Sequence, residues 1–199
     1  PTLFKLQVRP IVTLDAISDL PEESLDPSTI LVKSNKALGH GRRTDLCDVV
    51  YVKHSTFDPT HSPRIAEEVG RMDATLQKEE RGYLLMGPGR WGSNDHWLGI
   101  PVEWKQIAGA RIIVEASPAD YNVDPSQGTH FFHNMTSLGI GYFTIPPGAT
   151  KEAPKHGSFV DWAWLDSQSA VEETEFIRHV RLEEPLLALI NGRRGEGTI

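Results

Sequence analysis

Apolar and polar residues alternate from Phe4 to Arg9, with Phe4, Leu6 and Val8 on one side and Lys5, Gln7 and Arg9 on the other. Period two predicts a half-buried strand, and Pro10, which cannot donate to a ladder, ends it. Asp15 to Pro27 is acidic and turn-rich, so it reads as a linker or a short helix over Glu22 to Leu25. Thr29 to Val32 starts a further strand, Gly39 to Arg43 reads as a mobile basic turn, and Asp48 to Lys53 is β-branched and aromatic enough for another strand. The period then changes. Ser62 and Pro63 form a helix start, and Ile65, Val69, Met72 and Leu76 repeat as one apolar stripe, placing Met72 in a core. Arg81-Gly82 stops that helix, and Tyr83 to Met86 is a short apolar run of the kind a buried strand carries.

The second half repeats the alternation of types. Val102 to Ile107 has room for one helical turn, and Ala110 to Ala116 predicts a central strand with Glu115 near its end. Asp124-Pro125 opens a helix, with Gln127 at the capping-box position and Gly139 as the stop. On its wheel Phe131, Met135 and Leu138 share one face, and Gln127, His130, His133, Asn134 and Ser137 the other. Gly141 to Ile145 is a strand ended by Pro146, residues 148–157 read as an exposed loop, and Val160 to Leu165 as a strand. Ser167 to Thr174 reads as a short helix or turn, and Glu175 to Arg181 as a strand. Asn191-Gly192, between Pro185 to Ile190 and Glu196 to Ile199, marks a C-terminal β-hairpin. Helices alternating with buried strands define an α/β class, a mixed sheet flanked by a few helices. Three segments are expected: a strand belonging to a preceding domain at 1–14, a linker at 15–28, and an α/β domain at 29–199. Pro1, followed at once by a strand, reads as the start of a piece cut from a longer protein.

Composition narrows the function classes. The chain has 199 residues and a net charge of −7, so non-specific nucleic-acid binding, which needs a basic stripe, is disfavoured. An anionic ligand would need locally placed Arg or Lys working against the overall field. No apolar run is long enough to span a membrane and no signal pattern opens the chain. One cysteine, Cys47, allows no internal disulfide, reads as a buried inert thiol, and points to the cytoplasm.

Candidate chemistry gathers at Gly87-Pro88-Gly89-Arg90-Trp91-Gly92-Ser93. Glycines after a strand let backbone N–H groups line an anion site, and Arg90 adds a planar fork of donors. The loop lacks the Gly-Lys-Ser/Thr of a Walker A motif, and no helix start follows the GxGxxG spacing of Gly87, Gly89 and Gly92. The bland reading is a strand and tight turn with Trp91 plugging a core; Trp91, Trp97 and Trp104 together make this the most tryptophan-dense stretch. The polar face of the 124–138 helix has three readings: a His130–His133 metal pair, a single histidine as acid, base or phosphoryl carrier, or a stripe that packs against the glycine loop. No carboxylate sits at ligand spacing on that helix, so no metal site is assigned.

Two sets of residues resemble a known family. Leu6-Gln7-Val8-Arg9-Pro10 resembles the closing strand of the ATP-grasp nucleotide-binding domain of phosphoenolpyruvate synthase and pyruvate phosphate dikinase. The blocks Gly87 to Ser93, Trp97 to Val102, Asp124 to Phe132 and Arg178 to Arg181 resemble the C-terminal region of large bacterial proteins carrying such a domain. The resemblance implies a parent ATP-dependent phosphotransferase acting on pyruvate, with ATP and Mg2+ as its cofactors and its other domains as partners. It implies that Gln7 and Arg9 line an ATP and phosphate site. The swivelling phosphohistidine domain, the bulk of the ATP cradle and the pyruvate barrel have no counterpart in this chain. His133 stands where glutamine is usual, leaving His130 as the candidate catalytic residue. The expected reading is an accessory domain that holds a nucleotide, phosphate or small carboxylate through Gly87, Gly89, Arg90, Gly92, Ser93, Gln127 and Asn134. The alternatives are an independent enzyme with His130 as acid or base, and an interaction or dimerisation module.

Overall fold

A computed structural model describes residues 25–125, 135 and 137–199. The strand expected at 1–14, most of the 15–28 linker and most of the 124–138 helix lie outside the described residues. Twelve strands are described: β1 (Val32–Ser34), β2 (Ala37–Leu38), β3 (Gly41–Val52), β4 (Tyr83–Gly87), β5 (Arg90–Trp91), β6 (Gly99–Ile100), β7 (Ala110–Ala116), β8 (Gly141–Ile145), β9 (Phe159–Val160), β10 (Ala170–Glu173), β11 (Ile177–Asn191) and β12 (Glu196–Thr198). The α-helices described in full are α1 (Ser62–Lys78) and α2 (Trp162–Ser167). One mixed sheet takes ten of the strands in the order β2-β8-β7-β4-β3-β11-β12-β1-β9, with β10 on β11, while β5 and β6 pair separately. β3, β4, β7 and β8 are parallel neighbours, and the flanking pairs are antiparallel. The molecule is therefore α/β with a large mixed sheet, and β11 and β12 form the expected C-terminal hairpin.

The sheet is buried on both faces, which explains the continuous apolar run of β4. Leu84 and Met86, Ile112 and Val114, and Phe143 and Ile145 join one core together with Trp162 and Leu165 of α2. Residues alternating with them, Leu85, Ile113 and Tyr142, join a second core with Ile65, Val69, Met72 and Leu76 of α1. Burying each large aliphatic side chain of that stripe contributes about 2 kcal/mol.

The sheet also rolls. β1 pairs with β12, and β2, three residues further on, pairs with β8. Ser34 Oγ donates to Thr144 O at 2.7 Å, Thr144 N to Lys36 O at 3.1 Å, and Ala37 N to Gly195 O at 2.7 Å. This seam wraps the sheet around the first core as a half-barrel. Pro185 lies where the β3–β11 register slips, between Arg181 and Leu186; without an N–H it cannot continue the ladder.

Several local expectations are corrected. α1 starts at Ser62, but Ser62 is not its cap: its backbone is already helical and its Oγ is buried without a partner. The entry is capped one turn earlier, where Asp58 accepts from Thr60 N at 2.8 Å ahead of a short 3-10 turn at Pro59–His61. The helix ends in a Schellman motif, with Arg81 N donating to Leu76 O and Glu80 N to Gln77 O, and Glu80 holding the left-handed position at φ 55°. The basic turn at 39–43 is largely strand, since Gly41 to Arg43 belong to β3 and pair with β11. Thr29 closes a 3-10 turn (Pro27–Thr29), and the strand begins three residues later. Residues 162–167 are helix and 170–173 strand, the reverse of the periodicity reading, because the Asp161 side chain caps Trp164 N at 2.9 Å. Leu138 is exposed while Met135 is buried, so the two do not share a packed face. Cys47 is half-buried.

Candidate functional site

β4 delivers the glycine loop to the carboxyl end of the parallel strands, where open α/β sheets place their ligands. There the loop is tied down. Gly89 N donates to Ser117 Oγ at 2.9 Å, Arg90 N to Leu98 O at 2.9 Å, Trp91 N to Glu115 Oε1 at 3.3 Å and Gly92 N to Ile100 O at 2.9 Å. The expected concave row of free amides is therefore absent from 89–92. Close packing accounts for the glycines instead. A Cβ on Gly87 would lie 2.5 Å from the Trp91 ring, and one on Gly99 2.0 Å from Arg90 O. Gly89 has a positive φ of 64°, and a Cβ there would lie 2.8 Å from both Leu98 O and the Tyr121 ring. Trp91 is fully buried, as its bland reading expects. Ser93 Oγ donates to Asp95 O at 2.8 Å and closes a local turn.

Arg90 does not point its Nε at a ligand; that atom donates to Asp124 O at 2.6 Å. The guanidinium thus anchors the segment at Asp124. Tyr121 completes this clamp. Its hydroxyl donates to Trp97 O at 2.9 Å, and burial, reinforced by Asp95, pushes its pKa up to about 12.

Behind the loop lies a cavity of about 280 Å³. Its polar lining includes Lys36, Glu115, Ser117, Asp124, Thr144 and His156, and Gly89 reaches its rim. Glu115 is buried at the end of β7, where its Oε2 accepts from Tyr142 OH at 2.5 Å. Thr144 Oγ1 is buried and has no hydrogen-bond partner. Ser117 Oγ spends an acceptor position on Gly89 N and keeps its hydroxyl proton available. A lysine, two hydroxyl-bearing residues and a buried carboxylate around one cavity can hold a small polar molecule and fix its orientation.

Of the residues singled out from the sequence, the structure brings Gly89 and Glu115 to this cavity and sets Gly87, Arg90, Gly92 and Ser93 around the loop beside it. Gln127, His130 and Asn134 lie outside the described residues, as do Gln7 and Arg9. Lys36, Ser117 and Thr144 were not singled out. The signal for Ser117 and Thr144 was positional: each lies at or just beyond the carboxyl end of a parallel strand. Lys36 had no such signal, because the seam that brings it to Thr144 joins residues more than 100 positions apart.

A second polar cluster lies at the amino end of the same strands. Asp48, 1% exposed, accepts from His179 Nε2 at 2.7 Å, Arg81 Nε at 2.6 Å and Arg181 Nε at 2.7 Å. Arg181 also pairs with Glu79 at 2.7 Å. Burial alone would raise the Asp48 carboxyl; the bonds from His179, Arg181 and Arg81 outweigh it and bring its pKa down to about 2. By gathering three donors on one buried carboxylate, this cluster ties β3 to β11 and to the turn after α1.

Among the described residues no group of three or more His, Cys, Asp or Glu is placed to hold a metal ion, and no helix is long and apolar enough to cross a membrane. The molecule is thus defined as a half-barrel α/β domain with a small cavity at the carboxyl ends of its parallel strands. No family model, curated protein or solved structure matches the chain.

Proposed function

We propose that this chain is an accessory binding domain for a small phosphate or carboxylate, seated in the cavity beside the glycine loop, and not a complete enzyme alone. The observation that carries the reading is that Lys36, Ser117 and Thr144 line one cavity at the strand ends. The glycine loop and Arg90 then act as a frame: they hold Ser117 and Asp124 in place and leave the ligand contacts to side chains. The resemblance to phosphoenolpyruvate synthase and pyruvate phosphate dikinase supports placing the domain beside an ATP-dependent phosphotransferase. ATP and Mg2+ belong to that parent's nucleotide site, to which Gln7 and Arg9 would contribute.

The test is an amide-resolved NMR titration of the chain with inorganic phosphate, phosphoenolpyruvate and pyruvate. At least one should shift the Ser117 and Thr144 amides at millimolar concentration. Lys36→Ala should weaken that binding tenfold or more, since a charge-assisted hydrogen bond contributes about 1.5–3 kcal/mol. Absence of any shift refutes the binding reading. Phosphoryl transfer from ATP to pyruvate by the chain alone refutes the accessory role.

A further inference from the structure

The cavity has two chemically different ends. Glu115 is registered against Thr144 and both line the cavity, so its floor crosses the ends of β7 and β8. Thr144 N donates to Lys36 O, which sets Lys36 at the far side of β8. Asn35 Nδ2 donates to His156 O at 2.7 Å, which places His156 at that same side. The near end is made by Ser117, held by Gly89 N, and by Asp124, held through its carbonyl by Arg90. At about 4.8 Å per strand, Ser117, just past β7, and Lys36, on the far side of β8, are separated by about two strand spacings.

This polarity selects among ligands. Glu115 and Asp124 line the same cavity as Lys36. A bare anion placed mid-cavity, about 7 Å from a carboxylate, is repelled by about 2 kcal/mol at the effective dielectric of a partly buried site. A molecule with its charge at the Lys36 end and hydroxyl donors at the other avoids that repulsion and uses the carboxylate and serine as hydrogen-bond partners. Size adds a second limit. About 280 Å³ lies just below the usual range for ligand pockets, about 300–1,000 Å³. That volume favours a molecule of pentose phosphate size over a nucleoside triphosphate.

We infer that the cavity takes a phosphorylated polyol, with its phosphate at Lys36 and its hydroxyls at Asp124 and Ser117. The molecule is either a free sugar phosphate or the ribose phosphate part of a mononucleotide whose base projects outside. The inference rests on the binding reading above and narrows it.

The experiment is isothermal calorimetry of the chain with ribose 5-phosphate, adenosine monophosphate and inorganic phosphate. Ribose 5-phosphate should bind at least tenfold more tightly than inorganic phosphate. Adenosine monophosphate binding more tightly than ribose 5-phosphate assigns the nucleotide; equal or weaker binding assigns the free sugar phosphate. Asp124→Asn keeps the carbonyl that Arg90 uses. It should lower ribose 5-phosphate affinity about fivefold while leaving that of inorganic phosphate unchanged. Ser117→Ala, checked for an unaltered melting temperature, should act in the same direction. Equal affinities for ribose 5-phosphate and inorganic phosphate overturn the inference and leave the binding reading standing. If none of the three binds, the inference falls; the binding reading falls with it only if phosphoenolpyruvate and pyruvate also fail.

Discussion

Asp48 shows how much one buried residue can hold. Its carboxylate collects donors from β11 and from the turn after α1, and so ties β3 to both. Its folded pKa of about 2 lies below the ordinary aspartate value of 3.8. The sign follows directly: a depressed carboxylate contributes stability that is present above the unfolded pKa and is lost as pH falls through the folded one. The shift corresponds to about 2 kcal/mol, which should disappear between about pH 4 and pH 2. Asp48→Asn should lose about that amount at pH 7 and flatten the dependence over this window. Denaturant titrations of both proteins at a series of pH values measure this, and parallel curves for the two would refute the assignment. Little of the cluster was legible in the sequence. Asp48 read as the first residue of a strand, because partners 33 and 133 positions away leave no periodic trace. Met72 and Trp91 were legible, since a helical stripe and a large aromatic beside a buried strand point to the core by local pattern alone.

The elements that read well are those whose partners are local or whose faces are uniform. α1 announced itself through a stripe, and β4 and β7 through apolar runs that a sheet covered on both sides requires. Trp162–Ser167 misled because six residues give too few periods to separate helix from strand, and the deciding bond is the Asp161 cap. The packing of the glycine loop was hidden for a related reason. Glycines that permit an anion to approach also permit another strand to approach, and here the occupant is β6. Gly99 lies so close to Arg90 that a methyl group would sit 2.0 Å from its carbonyl oxygen. Overpacking typically costs about 1–3 kcal/mol, and a contact with backbone has no rotamer to relieve it. Gly99→Ala should therefore cost about 3 kcal/mol and separate β5 from β6. The amides of Arg90 and Gly92, which donate to Leu98 and Ile100, should then exchange with solvent faster, while those of α1 keep their relative protection. Unchanged exchange at Arg90 and Gly92 would mean the loop is not held by this strand pair.

At the scale of the whole molecule, the seam couples closure of the half-barrel to the cavity. Ser34 stands at its centre: its Oγ donates to Thr144 O at 2.7 Å and accepts from Lys36 N at 3.0 Å. The residue is 2% exposed, so water does not replace those bonds when the hydroxyl is removed. Ser34→Ala leaves a buried carbonyl and a buried-side amide each short of a partner, a loss of about 1–3 kcal/mol. It changes no residue of the cavity wall, and the Lys36 ammonium keeps its charge. Ser34→Ala should lower the melting temperature and speed hydrogen exchange at the Thr144 and Ala37 amides, which bond across the same seam. If the cavity binds as proposed, affinity for whichever phosphate compound the chain takes should fall in parallel, because Lys36 is no longer held beside β8. A variant that loses stability but binds as before would show that closure and ligand site are independent, and that Lys36 reaches the cavity by its side chain alone.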